Sequence, residues 1–414
     1  MYTFEPFESQ WVKAPAGASK LWRALRRPKK SAQQPTAQAK KRPPPQYLEM
    51  PPSLCEGSRI RLAGMVLEKP LPGPERLSAI HALLARDETD QGQLSIYCQR
   101  TGELLLTIPV ETHRGGQFQL SGRISPPLPA GMYRIQWTNR EGKALSGEGR
   151  MRVLAEDYAG VIVTSDIDQT YLSSDIHSRR GIWKLMRQPV QEKRALPGMV
   201  ALLQLLRQGE AEGLPLVFLS ASPTFFAPVF AARLTLHEIP FDGLLLKPFD
   251  AVIKRELARS NVKGAFRALK EQLSYKLNAL LEQRQYLPIR ARELLLGDDT
   301  EVDALTFELY RELLAGRLSL ERLADALLKH GVEWYKLEPL VGVARATLKY
   351  LSGFRPDVLV CIRRHASDDP IAEEPSVFWH RDSIALAEQL MVQNLLSPEA
   401  IQQVQQMQLK ETPT

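Results

Sequence analysis

The sequence is poor in cysteine and has no long apolar run, and both shortages narrow the class of protein. Its three cysteines, Cys55, Cys98 and Cys361, are odd in number and form no CxxC pair. Such usage excludes a disulfide framework and favours a reducing compartment. No apolar run reaches the roughly 20 residues that span a bilayer, and the N-terminus lacks the apolar segment of a secretory signal. We therefore expect a cytoplasmic protein, and 414 residues suffice for more than one domain.

Several catalytic signatures are also missing. The chain has no HExxH, no zinc-ligand spacing of cysteine and histidine, no GxSxG and no GxxxxGK[ST]. Zinc hydrolysis, serine hydrolysis and ATP-driven chemistry therefore have no support in the motifs.

Acidic residues are absent from positions 9–48. Ten of the chain's 54 basic residues lie there, and the other 44 face 47 acidic residues elsewhere. This composition predicts a disordered, basic, proline-rich arm over 1–57. Its segment SKLWRALRR suits either a short helix on an anionic membrane or a solvated linker, and a basic arm also suits nonspecific nucleic-acid binding.

Short alternating runs separated by Gly, Pro and Asn predict a small all-β sandwich domain over 58–156. The phrase GQFQLSGRISPPLPAGMYRIQW resembles the closing strands of transthyretin-like or immunoglobulin-like sandwiches. No titratable cluster stands out in it. We expect an accessory or interaction module here rather than a region that carries chemistry.

Apolar strands alternate with amphipathic helices from about residue 157, which is typical of a parallel sheet covered on both faces. We predict an α/β, Rossmann-like domain over 157–400 and a C-terminal tail over 401–414. Ligands of such folds bind beyond the carboxyl ends of the strands. Three predicted strands, VIVTSD, LPLVFLSAS and ARELLLGDD, end there in carboxylates or hydroxyls. Carboxylates that lie so close together repel one another unless a cation lies among them. Mg²⁺ prefers such oxygen ligands.

The motifs occur in a diagnostic order: DxDxT from Asp166, a strand ending in serine, a helical lysine, and GDxxxxD from Gly297. This order resembles the haloacid dehalogenase superfamily of phosphohydrolases. LSASP, FDGLLLK, YKLNALLE and LLLGDDTEVDALTFELY are more narrowly similar to the actin-patch phosphatidate phosphatase family, relatives of the lipins in their catalytic domain. The resemblance covers roughly 157–400 and implies a parallel sheet of the haloacid dehalogenase type with a minimal cap.

The resemblance implies roles for the first motif. Asp166 would attack phosphorus and form an aspartyl-phosphate, and Asp168 would protonate the leaving alkoxide and then activate water. Side chains at i and i+2 share one face of a strand, so both acids can face one substrate. Thr170 would hold the loop by hydrogen bonds. Gln169 departs from the family, which commonly has Asp there, and we expect activity to survive this.

Ser220 matches the hydroxyl that binds the transferring phosphoryl oxygen, whereas Ser222 before Pro223 could cap the next helix. Lys276 matches the lysine that offsets the charge of the phosphoryl group. Lys263 is its alternative.

The resemblance also implies a Mg²⁺ site. Asp166, the backbone carbonyl of Asp168, and Asp298 would bind the ion, and Asp303 would be either a ligand or an orienting group. Asp299 stands where the family often has Ser, and its role is open.

Residues 171–195 are too few for a large cap but enough for a flap. Its basic residues, interleaved with Trp183, Leu185 and Met186, suit an anionic interface or equally a solvated loop. The basic positions are Arg179, Arg180, Lys184, Arg187, Lys193 and Arg194.

An open site with a small flap suits a substrate that brings its own bulk. We therefore predict a Mg²⁺-dependent phosphatase that converts phosphatidate, or a related lipid phosphate, to diacylglycerol and phosphate at a membrane surface. Alternatives are a phosphatase of soluble or protein phosphomonoesters, a non-catalytic lipid-phosphate binder, and a nucleic-acid 3′-phosphatase. The intact pair Asp166 and Asp168 argues against the binder, and no base-stacking platform supports a specific nucleic-acid partner. The motifs leave the oligomeric state open.

Overall fold

The structure, a computed structural model, describes most of the chain. The described residues are 2–7, 47–67, 70–83, 91–113, 116–173, 187–208, 213–248, 272–300, 302–365 and 377–411. They form two sheets, an N-terminal antiparallel one and a parallel one.

The N-terminal sheet has nine strands in the described part of the chain. They are β1 (Thr3–Pro6), β2 (Tyr47–Glu49), β3 (Ser53–Glu56), β4 (Arg59–Leu67), β5 (Gln91–Cys98), β6 (Leu104–Glu111), β7 (Gln117–Ser125), β8 (Gly131–Asn139) and β9 (Gly149–Leu154). Their order is β1-β7-β4-β3-β9-β8-β5-β6, with β2 on β4, and a short helix α1 (Ala79–Leu83) follows β4. Neighbours run antiparallel, except that β3 and β9 are parallel.

Hydrogen bonds join these strands into one sheet, whereas a sandwich would divide them into two. Strand β6 contacts β1 and β7 at the other end of the order, so the sheet curls around its own core. Ile60, Leu62, Ile96, Ile135 and Trp137 lie fully buried there. Alternation predicts strands but not which of them pair, so the antiparallel β region is confirmed, and the two separate sheets are not seen.

The prediction of a disordered arm over 1–57 is wrong at both ends of this range, where the chain forms strands. Strand β1 pairs with β7, and β2 and β3 pair with β4. Leu48, Leu54 and Cys55 are buried in this region, so short apolar pieces outweigh the average composition. The basic segment SKLWRALRR lies outside the described residues.

The second sheet confirms the predicted α/β architecture with parallel strands. Its members are β10 (Val161–Asp166), β11 (Leu216–Pro223), β12 (Gly243–Lys247), β13 (Arg292–Asp298), β14 (Val358–Arg363) and β15 (Val377–His380). They lie in the order β12-β11-β10-β13-β14-β15, and each neighbouring pair is parallel. Every residue of β10 is buried, as expected for a central strand covered on both faces.

Helices cover both faces of this sheet. They are α2 (Met199–Leu206), α3 (Ala227–Leu236), α4 (Leu273–Arg284), α5 (Asp303–Leu314), α6 (Leu320–Lys329), α7 (Trp334–Leu351), α8 (Ser383–Val392) and α9 (Pro398–Glu411). Helices α2, α3, α8 and α9 share one apolar core with the sheet, and α4 to α7 share another on the opposite face. None of the described helices is long and apolar enough to cross a membrane.

The predicted C-terminal tail over 401–414 is wrong as far as residue 411. These residues belong to helix α9, and Val404 is buried against the sheet's core. The Glu411 carboxylate accepts a hydrogen bond of 2.8 Å from the backbone N–H of Gly198. The apolar positions Ile401 and Val404 are i and i+3, and this spacing is the signal of a buried helix face.

The two sheets meet at the amino edge of the parallel sheet. Leu54 and Leu154 of the antiparallel sheet join Ile162, Val217 and Leu287 in one buried cluster. The opposite, carboxyl edge is where the polar ends of β10, β11 and β13 lie.

Candidate active site

Three neighbouring strands deliver the predicted motif residues to one place. Asp166 is the last residue of β10 and Asp298 is the last residue of β13, while Ser220 lies in the second half of β11. All three side chains are buried. Because the strands are parallel neighbours, their carboxyl ends lie side by side, and the structure brings these residues together.

Lys276 joins this group from the first turns of α4. Its Nζ donates hydrogen bonds to Asp166 Oδ1 at 2.6 Å and to Asp303 Oδ1 at 2.5 Å. The ammonium is fully buried, and a buried charge of this kind is tolerated only with such partners. Of the candidate lysines, Lys276 is therefore in contact with the acids, whereas Lys263 lies outside the described residues.

The second acidic motif closes the site. Asp298 Oδ1 accepts hydrogen bonds from the backbone N–H and the hydroxyl of Thr300, at 2.6 and 2.7 Å. Asp303 begins α5 and is fully buried. Gly297 permits this approach, because a Cβ there would lie 2.7 Å from the Cβ of Asp303.

The donor set fits a hard divalent cation. Carboxylate oxygens of Asp166, Asp298 and Asp303 lie within 4.8 Å of one another. Asp303 Oδ2 is buried and makes no hydrogen bond within the described part of the chain. Burial raises the pKa of the Asp303 carboxyl, and Lys276 opposes that rise while Asp298 adds to it. One ammonium balances three buried acids only in part, and oxygen ligands of this kind suit Mg²⁺.

Asp168 has a different set of partners. Its Oδ2 accepts hydrogen bonds from Ser220 Oγ at 3.1 Å and Ser222 Oγ at 3.4 Å. The expectation that Ser222 caps the next helix is wrong, because Pro223 precedes that short 3₁₀ helix and no side chain caps it. The two serines instead orient the second acid of the motif.

The backbone holds the turn that follows β10. The N–H groups of Tyr171 and Leu172 donate to the Ile167 carbonyl at 3.0 and 2.8 Å. Gln169 has a left-handed backbone with φ of 61°. The Thr170 hydroxyl is buried and has no hydrogen-bond partner among the described residues, so its predicted role in holding the loop is not seen.

Lys193 is a residue whose position the sequence reading missed. It was expected on an exposed basic flap, but only 3% of it is exposed. Burial lowers the pKa of Lys193 to about 8, and the charge of Asp168 opposes this. Ala195 pairs with Leu172, which fixes the segment beside the first motif. The sequence offers no signal for this burial, because Gln191, Glu192 and Arg194 flank Lys193. Flap residues 174–186 lie outside the described residues.

Asp299 forms a second group with Asp298 and His365, in which one ligand atom of each residue lies within 4.8 Å of the others. Its Oδ1 accepts a hydrogen bond of 3.0 Å from the backbone N–H of His365 and lies 3.4 Å from that residue's ring Nδ1. Asp299 thus ties the end of β13 to the chain after β14.

A buried lysine, paired acids and serine hydroxyls thus lie together at the carboxyl edge of a parallel sheet, where the ligands of such folds bind. Residues 161–317 match the family model of the phosphatidate phosphatase APP1 catalytic domain. This match confirms the resemblance inferred from the motifs, and the matched family is one of phosphoric monoester hydrolases.

Likeness to solved structures is remote. A structure of PhoD has 7% sequence identity and a TM-score of 0.28, with 49% of this chain and 38% of that chain covered. A glycosyl hydrolase family 2 member from Bacteroides cellulosilyticus has 8% identity and a TM-score of 0.24, with 84% and 38% covered. The chain thus spans less than half the length of either, and these likenesses carry no functional argument. A comparison with curated proteins found no match.

Proposed function

We propose that the chain is a Mg²⁺-dependent phosphatidate phosphatase that works through an aspartyl-phosphate, on a sheet of the haloacid dehalogenase type. Residues 157–400 would form the catalytic domain and 58–156 an accessory domain. One observation carries the chemistry: Lys276 bridges Asp166 and Asp303, and Asp298 completes the group.

Asp166 is the proposed nucleophile. Its Oδ1 accepts a hydrogen bond from Lys276 Nζ, which fixes the direction of the carboxylate. A carboxylate held in this way is ready to attack phosphorus in line and form the covalent intermediate.

Asp166, Asp298, Asp303 and the backbone carbonyl of Asp168 would hold Mg²⁺. When bound, the ion would supply positive charge opposite the phosphoryl oxygens. Lys276 contributes charge to the same place, and it keeps the buried acids together before substrate arrives.

Asp168 is the proposed acid and base. In the free protein, the hydroxyls of Ser220 and Ser222 donate to it. We expect Ser220 to turn toward a phosphoryl oxygen when substrate binds. Asp168 would then give a proton to the departing alkoxide and later take one from water.

The acids would serve any phosphomonoester, so the lipid substrate is proposed on other grounds. The match to a phosphatidate phosphatase catalytic domain supports it, as do the basic arm and flap of the sequence. We propose that the enzyme acts as a peripheral protein at membranes.

The test measures phosphate release, with and without Mg²⁺, from phosphatidate in mixed micelles, from an aryl phosphate and from a phosphopeptide. We expect Mg²⁺-dependent release from phosphatidate, and a loss on the order of 10⁴-fold in Asp166→Asn. Asp157→Asn is the control, because Asp157 is exposed before β10 and lies outside the acid cluster.

Equal rates in wild type and Asp166→Asn would remove the nucleophile from the scheme. If the enzyme hydrolyses the phosphopeptide or the aryl phosphate but not phosphatidate, the substrate is a soluble or protein phosphomonoester rather than a lipid.

A further inference from the structure

The most exposed large apolar side chains of the described residues include three that cluster where α6 meets α7. Trp334 is 79% exposed, Tyr335 55% and Leu328 48%. We call these three residues the aromatic tip. Single exposed apolar residues are common, but a grouped Trp and Tyr at a helix corner indicates a contact surface.

Local contacts hold the aromatic tip in place. The two rings meet edge to face with centroids 6.2 Å apart. The Tyr335 hydroxyl donates to the Glu333 carboxylate, which also pairs with Lys336 Nζ at 3.2 Å. Lys336 in turn lies 5.4 Å from the centre of the Tyr335 ring. The acid beside the tip is therefore neutralised locally, and the rings present an ordered apolar surface.

The tip lies on the same side of the molecule as the catalytic acids. The C-terminal part of α7 contacts the C-terminal part of α4, where the Thr347 hydroxyl donates to the Leu281 carbonyl at 2.8 Å. The Tyr350 hydroxyl likewise reaches the Leu287 carbonyl, just beyond α4, at 2.7 Å. Since Lys276 near the start of α4 contacts Asp166, both helices begin toward the carboxyl edge.

Helix length places the tip beyond that edge. Because α7 contains Pro339, only the part of the helix after this residue is compared. At about 1.5 Å per residue, Pro339 lies about 12 Å along α7 from Thr347, whereas Lys276 lies about 8 Å along α4 from Leu281. Trp334 begins the helix before Pro339 and lies further out still. For helices running in the same sense, the tip projects past the level of the catalytic lysine. The chain agrees with this direction, because α7 is followed by β14, which starts at the amino edge beside Glu293.

Basic side chains accompany the tip on this edge. Arg364 follows β14, with its guanidinium 5.7 Å from the centre of the Trp379 ring, and Arg381 is exposed just after β15. Lys329 is exposed at the end of α6. Glu338 beside the tip and Asp382 beside Arg381 add negative charge on this edge. The rings therefore supply the apolar contact, and the basic side chains add a charge contact with an anionic surface.

We propose that the aromatic tip, together with Arg364 and Arg381, docks the enzyme on an anionic lipid bilayer with the catalytic edge facing the membrane. This inference rests on the proposed function, since phosphatidate lies in such a bilayer. Trp and Tyr prefer the boundary between head groups and acyl chains, because each has an apolar ring and a polar group. Basic residues near the surface add attraction that salt screens.

The first experiment measures binding of the full chain to vesicles of phosphatidylcholine and phosphatidylserine, without phosphatidate. The double variant Trp334→Ser, Tyr335→Ser is expected to bind at least tenfold more weakly. Leu236→Ser is the control, because Leu236 is 43% exposed but ends α3, the helix that leads to the start of β12 at the amino edge. Brominated acyl chains should quench the fluorescence of wild type, and Trp334→Phe should lose most of this quenching while still binding.

The second experiment separates docking from chemistry. The double variant should hydrolyse a dispersed short-chain phosphatidate at the wild-type rate, but lose at least tenfold on phosphatidate in vesicles. Failure of wild type on both substrates would refute the proposed function, yet the vesicle measurement would still decide the docking face.

If the double variant binds vesicles with the affinity of wild type, the proposed docking face is wrong. Light scattering that finds a dimer in wild type and a monomer in the double variant would also overturn it, because the tip would then bind a second copy of the chain.

Discussion

At the scale of single residues, two aspartates of one motif have different environments. Asp166 faces the Lys276 ammonium, whereas Asp168 faces two hydroxyls and the charge of buried Lys193. Different surroundings allow like residues to play unlike roles, as the proposed nucleophile and the proposed acid and base require. The acids and Lys276 could be predicted because they stand in motifs that follow one another in a known order. The burial of Lys193 could not be predicted, because it depends on how the flap packs.

Replacing Lys276 by Met tests the charge balance of the site. The variant leaves Asp166 and Asp303 buried without their ammonium, which should lower the free energy of unfolding by about 3–5 kcal/mol at pH 8. The loss should be smaller at pH 5, because the carboxyls can then take up protons. Phosphatase activity should fall on the order of 10²-fold or more.

Urea unfolding at both pH values checks this, with Lys349→Met as the control since Lys349 is exposed on α7. Added Mg²⁺ should restore part of the lost stability. Equal unfolding midpoints for Lys276→Met and the control at pH 8 would contradict the charge-balance interpretation.

At the scale of elements, the sequence predicts strands that are long apolar runs. It does not predict short strands whose partners lie far along the chain. β10, β11 and β13 are apolar runs that end in polar residues, so their existence and their shared edge follow from the sequence. β1 has four residues and gains its partner only at Ser125, far along the chain. Composition alone cannot reveal such a pairing, and the same holds for the curled single sheet.

Strand β2 lies in the range for which disorder was predicted, and its residue Glu49 tests whether the strand is formed. Burial raises the pKa of Glu49 to about 7 from 4.5. The folded state then holds a proton that the unfolded state releases, so the stability present below pH 4.5 is lost as pH rises toward 7. Glu49→Gln should remove this loss and be more stable than wild type at pH 8, by on the order of 1 kcal/mol.

Thermal unfolding between pH 4.5 and 8 measures the effect. The two proteins should agree near pH 4.5 and separate above it, while Glu111→Gln on β6 should follow wild type throughout. A constant difference between Glu49→Gln and wild type at all pH values would mean that Glu49 does not titrate on folding.

At the scale of the whole molecule, the antiparallel sheet reaches the catalytic part at two places. A buried apolar cluster joins the sheets at the amino edge. Near the flap, the Gln117 side chain donates to the Thr224 hydroxyl at 3.2 Å, and the Val190 N–H donates to the Leu77 carbonyl at 3.1 Å. The second contact supports the segment that carries Lys193. The β region is thus part of the scaffold of the site, and we expect the two sheets to unfold together.

The polar centre of the junction is Asp242. Its Oδ2 accepts hydrogen bonds from Arg152 at 3.3 Å, Arg207 at 2.7 Å and the Leu216 N–H at 2.9 Å. Arg152 belongs to β9 and Leu216 begins β11, so one buried carboxylate links both sheets. Removing one partner of a buried ion pair is costly because the remaining charge stays out of water.

Arg152→Met therefore should lower the free energy of unfolding of the full chain by about 2–4 kcal/mol, less than a complete loss since Arg207 still contacts Asp242. Arg150→Met is the control, because Arg150 lies on the same strand but is exposed, and it should change stability by less than about 0.5 kcal/mol. Urea unfolding is followed by circular dichroism and by phosphatase activity on the same samples. Both signals should shift together in Arg152→Met, because the junction couples the sheets. If activity persists after the β signal is lost, the catalytic part stands alone and the β region is only attached to it.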